Sequence, residues 1–485
     1  MRKQLFFFTS LLILGILGWQ FRFAKEQHIY IIATNDMHAT IDAMPKLATI
    51  VKEYDERGEV IIIDSGDRVS GNAYVDDATH PGLPIIELMN DIGYSVATLG
   101  NHEFDKGSEV LDKMLQSATF PIVCANIEAH NGATTPPPYT IIKRYGVEFG
   151  FAGIVDTDGG GRPLGGNEAY KDYTFTSDIE TAYKICEEVA TKCDMVILLS
   201  HMGLDRDKQL SAMETKCTWI AGGHTHDIVN EEFNGVHIYQ NNKNLRYVTI
   251  ADVSVKNGEI IDVVYEQIDT ADVAIDTAMQ RRIEEIKSLD PGLNEVVATA
   301  TADATKEGIS NLTIDALANY PYSDGFVPEI TLYHWGGIRL DGIKAGDVKR
   351  VDILNNDPFM SYVYIGELTP KQLRDFILRK YNSGTAEKPD KESHYPYFRS
   401  DMPYTIIVGE DGNATDVVFE LEERPYRIAM CNYIAENYID SDIVDSQLQP
   451  TIISVREALL HHIASLEEGI FTPDNKCYQK EEKAK

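Results

Sequence analysis

The sequence predicts an α/β protein in which two packed sheets with flanking helices are joined by a helix to a second α/β domain. Three observations predict it. Short β-branched runs alternate with stretches whose apolar residues recur at every third or fourth position. Further strand-like pieces, Phe149–Val155, Val236–Gln240 and Tyr247–Val255, call for a second sheet against the first. The composition then changes near residue 270, and Asp290-Pro291-Gly292 stops the amphipathic stretch there.

Taken in order, the chain opens on Met1-Arg2-Lys3 and an apolar run from Leu5 to Trp19. Basic residues ahead of a short apolar segment describe a secretory signal over 1–25. The expected location is secreted or periplasmic; retention as a membrane anchor through residues 5–19 is the alternative. The runs Ile29–Ala33, Val60–Ile63, Ser95–Leu99, Met195–Leu199 and Trp219–Ala221 are apolar throughout, as strands covered on both faces are. Lys46–Tyr54, Pro84–Ile92, Glu109–Leu115 and Ile179–Val189 carry helical spacing. These elements define a first domain over 26–270. A linker helix over 271–292 places Met279, Ile283, Ile286 and Leu289 on one stripe, and a second domain follows over 293–485. The end, Lys480–Lys485, reads as a frayed tail.

With 76 acidic and 44 basic residues the formal charge is −32, which opposes binding to nucleic-acid polymers or anionic lipid. An acidic protein that handles an anionic substrate needs local positive charge, and bound metal ions supply it. The six cysteines show no C-x-x-C spacing, so a zinc ribbon is not expected.

The strand ends carry the chemistry. The first is followed by Asp36-Met37-His38 and the second by Gly66-Asp67. Gly100-Asn101-His102-Glu103-Phe104-Asp105, Ser200-His201 and Gly222-Gly223-His224-Thr225-His226 complete the set. In open α/β sheets ligands gather at the carboxyl ends of strands, so these segments converge. Mixed carboxylates and imidazoles suit two divalent ions such as zinc or manganese rather than calcium. One ion takes Asp36, His38 and His226, the other Asn101, His201 and His224, and Asp67 is the natural bridge.

In this order, D-x-H, G-D, G-N-H-E, H and G-H-x-H, the pattern resembles the calcineurin-like metallophosphoesterases, most closely the 5′-nucleotidase family. The resemblance implies a metallophosphoesterase β-sandwich flanked by helices, in agreement with the two sheets. It implies hydrolysis of nucleoside 5′-monophosphates through a metal-activated water. It also implies that His102, paired with Asp105, stabilises the transferring phosphoryl group or protonates the leaving oxygen. In the second half, His334-Trp335-Gly336-Gly337-Ile338-Arg339 resembles the family's N-x-G-G-I-R segment, and Asp357-Pro358-Phe359 resembles its P-F. Arg339 and Phe359 are thereby implied in substrate binding, with His334 standing where asparagine is usual. The family's G-G-D-G-F loop is replaced by Asn437–Asp442, leaving Tyr433 or Tyr438 to supply a second ring. The expected partner is a small nucleotide. Close alternatives on the same centre are 2′,3′-cyclic-nucleotide 2′-phosphodiesterase and nucleotide-sugar hydrolysis, or an ester without a nucleotide. A metal- and nucleotide-binding protein without turnover is the reading from another class.

Overall fold

The computed structural model of the chain describes residues 25–157, 160–163, 167–359, 361–385 and 398–484. The apolar segment 5–19 and nearly all of the expected signal lie outside the described residues. The chain divides into two compact units, one of residues 1–70 with 75–289 and one of residues 71–74 with 290–485.

The first unit is built on two six-stranded sheets. Strands β1 (Gln27–Thr34), β2 (Glu59–Asp64), β3 (Val96–Thr98) and β4 (Ile122–Val123) run parallel in the first sheet. The second sheet takes β5 (Tyr139–Arg144), β6 (Val147–Val155), β7 (Met195–His201), β8 (Trp219–Ala221), β9 (Ile228–Phe233) and β10 (Val236–Asn241). The chain then returns to the first sheet with β11 (Tyr247–Lys256) and β12 (Glu259–Asp269). The spatial orders are β12-β11-β1-β2-β3-β4 and β9-β10-β8-β7-β6-β5.

Side-chain alternation explains why the strands look apolar at every position. Ile29, Ile31, Ile61 and Ile63 of the first sheet meet Phe149, Phe151, Ile197, Leu199 and Trp219 of the second in one buried cluster. The alternate residues Ile154, Val196, Leu198, Ile220 and Ile238 point to the other face. There they pack with Ala182, Ile185 and Val189 of α4 (Asp178–Val189) and Leu210 of α5 (Leu204–Ser211). Helices α1 (Met44–Asp55), α2 (Leu83–Ile92) and α3 (Ser108–Ser117) belong to the same unit. So does α6 (Thr277–Ser288), the expected linker. Its N-cap Asp276 accepts from Ala278 N and Met279 N, and its Met279, Ile283 and Ile286 are buried as it packs on α1 and α2.

The second unit centres on a five-stranded sheet. Its strands are β13 (Ile330–His334), β14 (Tyr362–Leu368), β15 (Phe398–Ser400), β16 (Tyr426–Cys431) and β17 (Leu448–Ser454), in the order β15-β13-β16-β14-β17. Helices α7 (Lys306–Asn319), α8 (Pro370–Thr385), α9 (Asn432–Tyr438) and α10 (Val455–Ala464) accompany it. The expected frayed tail is instead a strand: Gln479–Lys483 pairs in parallel with Tyr404–Val408. Its Lys and Glu side chains hide it from any hydrophobic pattern, because an edge strand gains from backbone pairing while its side chains stay in water.

Candidate functional site

The loops after β1 and β2 are stitched together before any ligand is considered. Asp36 N donates to Gly66 O at 3.0 Å and His38 N to Asp67 O at 2.9 Å. Asp36, His38 and Asp67 all adopt positive φ (47°, 44° and 53°), which for residues with a Cβ is held only by the surroundings. Gly100 explains the close approach of the third loop, since a Cβ there would lie 2.1 Å from Asp67 Oδ1. His102 N donates to that same Oδ1 at 2.9 Å, so the loop after β3 is registered on the Asp67 carboxylate.

The side chains converge as the motifs imply. His38 Nε2 and His226 Nε2 lie 3.0 Å apart, and Asp36 Oδ1 is 3.4 Å from the latter. On the other side His201 Nε2 is 3.1 Å from Asp67 Oδ2, and His224 Nδ1 is 3.0 Å from Asn101 Oδ1. Three groups have ligand atoms mutually within 4.8 Å: Asp36 with His38 and His226, Asp67 with His201 and His224, and His38 with Asp67 and His102. Asp67 appears in two of the groups, where a bridging carboxylate belongs.

Outer contacts orient these atoms. His201 Nδ1 donates to Ser65 O at 2.8 Å, which turns Nε2 toward Asp67 and leaves that buried nitrogen without a hydrogen-bond partner. Asn35 Nδ2 donates to Asp36 Oδ2 at 2.7 Å, and His224 N donates to the same carboxylate. Burial disfavours the Asp36 and Asp67 anions, yet the surrounding imidazoles outweigh it and hold both carboxyls below their usual range. Burial, above all, also drives the His38 imidazole down to about 3, so this histidine presents lone pairs rather than protons. Two buried carboxylates, an orphaned imidazole nitrogen and two facing Nε2 atoms form a donor set that fits divalent cations. Stripping the protein with a chelator is therefore expected to lower its melting temperature. An ion present at about 100 times its Kd adds about 2.7 kcal/mol. A thermal scan before and after adding back Mn²⁺ or Zn²⁺ checks this, and identical curves would count against the donor set.

His102 stands apart from the pure ligands. Its Nδ1 donates to Asp105 Oδ2 at 2.7 Å, and Ser70 Oγ donates to that same oxygen at 2.6 Å. Its Nε2 is 4.0 Å from Asp67 Oδ2. Burial would depress this imidazolium, but the Asp105 and Asp67 carboxylates prevail and lift it to about 10.

In the second unit, His334 ends β13, is buried, and stacks on Tyr433 with centroids 4.3 Å apart. Burial, with Arg339, Lys380 and Lys306 nearby, pushes His334 down to about 3 and keeps it neutral. The Arg339 guanidinium lies 5.0 Å over the Phe359 ring. Trp335 carries two cations, the Arg399 guanidinium at 4.0 Å and Lys306 Nζ at 4.6 Å, and Arg399 forks onto both Glu307 oxygens at 2.8 Å. A chain with formal charge −32 thus gathers cations and aromatic faces at one place. Of the two tyrosines left open by the sequence, Tyr433 is the one stacked on His334. Tyr438 touches Tyr433, with hydroxyls 3.2 Å apart. Sequence reasoning missed Asn35, Ser65, Gln240 and Arg399, which lie outside every motif. It also passed over Glu103, which lies inside one.

Comparison with known proteins places the two halves of the chain in two families. The Calcineurin-like phosphoesterase family matches residues 29–227, and the family described as 5′-nucleotidase, C-terminal domain, matches residues 286–440. The chain is 28% identical over 411 residues to Endonuclease YhcR of Bacillus subtilis, covering 73% of this chain and 33% of that protein. It is 26% identical over 485 residues to the Trifunctional nucleotide phosphoesterase protein YfkN of the same organism, covering 83% and 31%. The chain therefore spans about a third of the length of each of these two relatives. Among solved structures, that of the 5′-nucleotidase precursor from Thermus thermophilus has a TM-score of 0.74 at 19% identity, covering 94% of this chain and 99% of that one, and shows the shared fold.

Proposed function

The chain belongs to the calcineurin-like phosphoesterases that carry a 5′-nucleotidase C-terminal domain, and from that premise we propose that it hydrolyses nucleoside 5′-monophosphates to nucleoside and phosphate. The observation that carries the reading is the convergence of Asp36, His38, Asp67, Asn101, His201, His224 and His226 beside a hydrogen-bonded His102–Asp105 pair. In this reading the seven residues hold two divalent ions, zinc, manganese or similar. When bound, these supply an activated water and positive charge for the phosphoryl oxygens. Asp67 bridges them. His102 holds a proton at Nε2 for the leaving oxygen while Asp105 fixes its ring through Nδ1. Arg339 and the face of Phe359 take the nucleotide, with His334 and Tyr433 beside them.

The name of the relative YfkN, a nucleotide phosphoesterase, supports a small nucleotide as substrate. The acidic charge supports a mononucleotide over a polymer. Export to a secreted or periplasmic location is part of the proposal, on the strength of the basic start and the apolar run 5–19. No helix among the described residues is long and apolar enough to cross a membrane.

A substrate panel with product identification tests the reading: AMP, a 2′,3′-cyclic nucleotide, a nucleotide-sugar, an oligonucleotide and a simple aryl phosphate. AMP should be preferred, and Phe359→Ala should raise KM for AMP about 10-fold, the worth of roughly one stacked base. KM for the aryl phosphate should stay unchanged in that variant. Equal KM changes for both substrates would remove Phe359 from the proposed role. Preference for the oligonucleotide would replace the substrate class.

A further inference from the structure

Both His224 and His226 come from one loop, Gly222–Asp227, which leaves β8 and returns on β9. The loop is strained where it delivers them, with φ of 78° at His224 and 57° at His226. Left-handed backbone at residues with a Cβ is strained, and it persists only where neighbours over-determine it. Its internal bonds are few: Thr225 N donates to Gly223 O at 3.1 Å.

Sheet order shows what supplies the constraint. Strand β10 lies between β8 and β9, so it flanks both the entry and the exit of the loop. Its pairing with β8 ends at Ala221 opposite Tyr239, while the next residue, Gln240, faces Val229 on β9. Gln240 is thus the first residue of β10 beyond the β8 pairs, at the mouth of the loop. It is fully buried. Its Nε2 donates to Gly223 O at 3.0 Å, and its Oε1 accepts from Asp227 N at 3.2 Å and Thr225 Oγ1 at 3.0 Å. One carboxamide therefore ties the entry, the crest and the exit of the segment that presents two imidazoles.

We propose that Gln240 is a positioning residue of the metal centre, setting the directions in which His224 and His226 project and so the affinity for the ions. This rests on reading Asp36, His38, Asp67, Asn101, His201, His224 and His226 as a two-ion site. Gln240 is not itself a ligand, because both ends of its amide are committed to the loop. Removing it leaves the Gly223 carbonyl, the Asp227 amide and the Thr225 hydroxyl short of a partner and frees the strained residues to relax.

The test uses the full chain, stripped of metal and titrated with Mn²⁺ by calorimetry, with the Mn²⁺ paramagnetic resonance spectrum as a second readout. Gln240→Met keeps the length and removes all three bonds. Gln240→Glu keeps an acceptor but loses the donor to Gly223, and Thr225→Val removes the bond to Gln240 Oε1 together with one from Leu204 N, while leaving Gln240 in place. Outer-sphere partners of metal ligands are worth about 10–100-fold in affinity. Gln240→Met should lose about that much at one ion or more, with a changed spectrum and with the metal-bound melting temperature falling further than the metal-free one. Gln240→Glu and Thr225→Val should lose less. Unaltered Mn²⁺ affinity and spectrum in Gln240→Met overturn the proposal, as does a metal-free melting temperature lowered as much as the metal-bound one. Should that variant fail to fold, Thr225→Val with undiminished affinity overturns it. If the unsubstituted chain itself binds no Mn²⁺, the two-ion reading falls and takes this proposal with it.

Discussion

His102→Ala is expected to lower kcat/KM on a nucleoside monophosphate by about 10²–10⁴-fold, the range for removing a positioned proton donor, while ion content per chain stays at its original level. The two halves of this expectation separate two roles that distance alone leaves open. His102 Nε2 belongs to a convergent group with His38 and Asp67, so by position it is within reach of an ion. Its other nitrogen decides the matter. Nδ1 is bound to Asp105, which a Ser70 hydroxyl holds in turn, and this chain of hydrogen bonds keeps the ring charged. The carboxylate on Nδ1 favours a ring that carries a proton, the role proposed for His102. Asp105→Asn should cost activity in the same direction with the ions retained. Elemental analysis beside steady-state kinetics is the check: ion loss in step with activity would make His102 a ligand and end its assignment as proton donor.

The second large effect is on stability. Glu103→Ala should destabilise the first unit by about 3–5 kcal/mol, the cost of stripping one partner from a buried charge pair. The Glu103 carboxylate is buried beneath the site and accepts from Asp67 N at 3.0 Å, Arg68 N at 2.8 Å and Gly100 N at 2.5 Å. Arg68, fully buried, lies 3.8 Å away through Nη1 and also bonds Asp64 and Thr98 O. Of its two carboxylate neighbours, Glu103 weighs more than Asp64 on the Arg68 guanidinium. Alanine there removes that counter-charge and leaves three buried amides without their acceptor. Urea unfolding followed by the fluorescence of Trp219, buried in the first unit's core, reads the midpoint. A midpoint within the error of the unsubstituted protein would sink the claim. Glu103→Gln, which keeps one acceptor oxygen for the amides, should fall between the two.

Most of the first unit was legible because its strands are covered on two faces. Ile29–Ala33 or Met195–Leu199 then reads as a solid apolar run, and each run is followed at once by its ligands. The motif residues were legible because metal chemistry restricts them to a few side-chain types. The residues that aim them were not. Ser65 acts through its backbone carbonyl, which any residue has, and Asn35 and Gln240 are ordinary amides outside every motif, the first with a partner 207 positions away and the second with one 17 away. The strand Gln479–Lys483 was hidden for the opposite reason, since after Gln479 its side chains carry charge while its backbone is paired with Tyr404–Val408. In the second unit Arg399 sits between Phe398 and Ser400 with no spacing to mark it. Its meaning comes from Trp335 and Glu307, which only the fold brings to it.

The return of β11 and β12 to the first sheet has a consequence for how the molecule is made. Every proposed ligand has been synthesised by His226, yet β1, which carries Asp36 at its end, pairs on one side with Thr249–Val255. At roughly 5–20 residues per second, that edge of β1 stays bare for about 10–40 s of synthesis. For only the last few seconds of that interval, about 1.5–6 s after His226, the nascent chain holds every proposed donor and no finished frame for them. A fragment ending where the phosphoesterase match ends, at residue 227, freezes that interval permanently, with an apolar strand exposed to pair with its neighbours in solution.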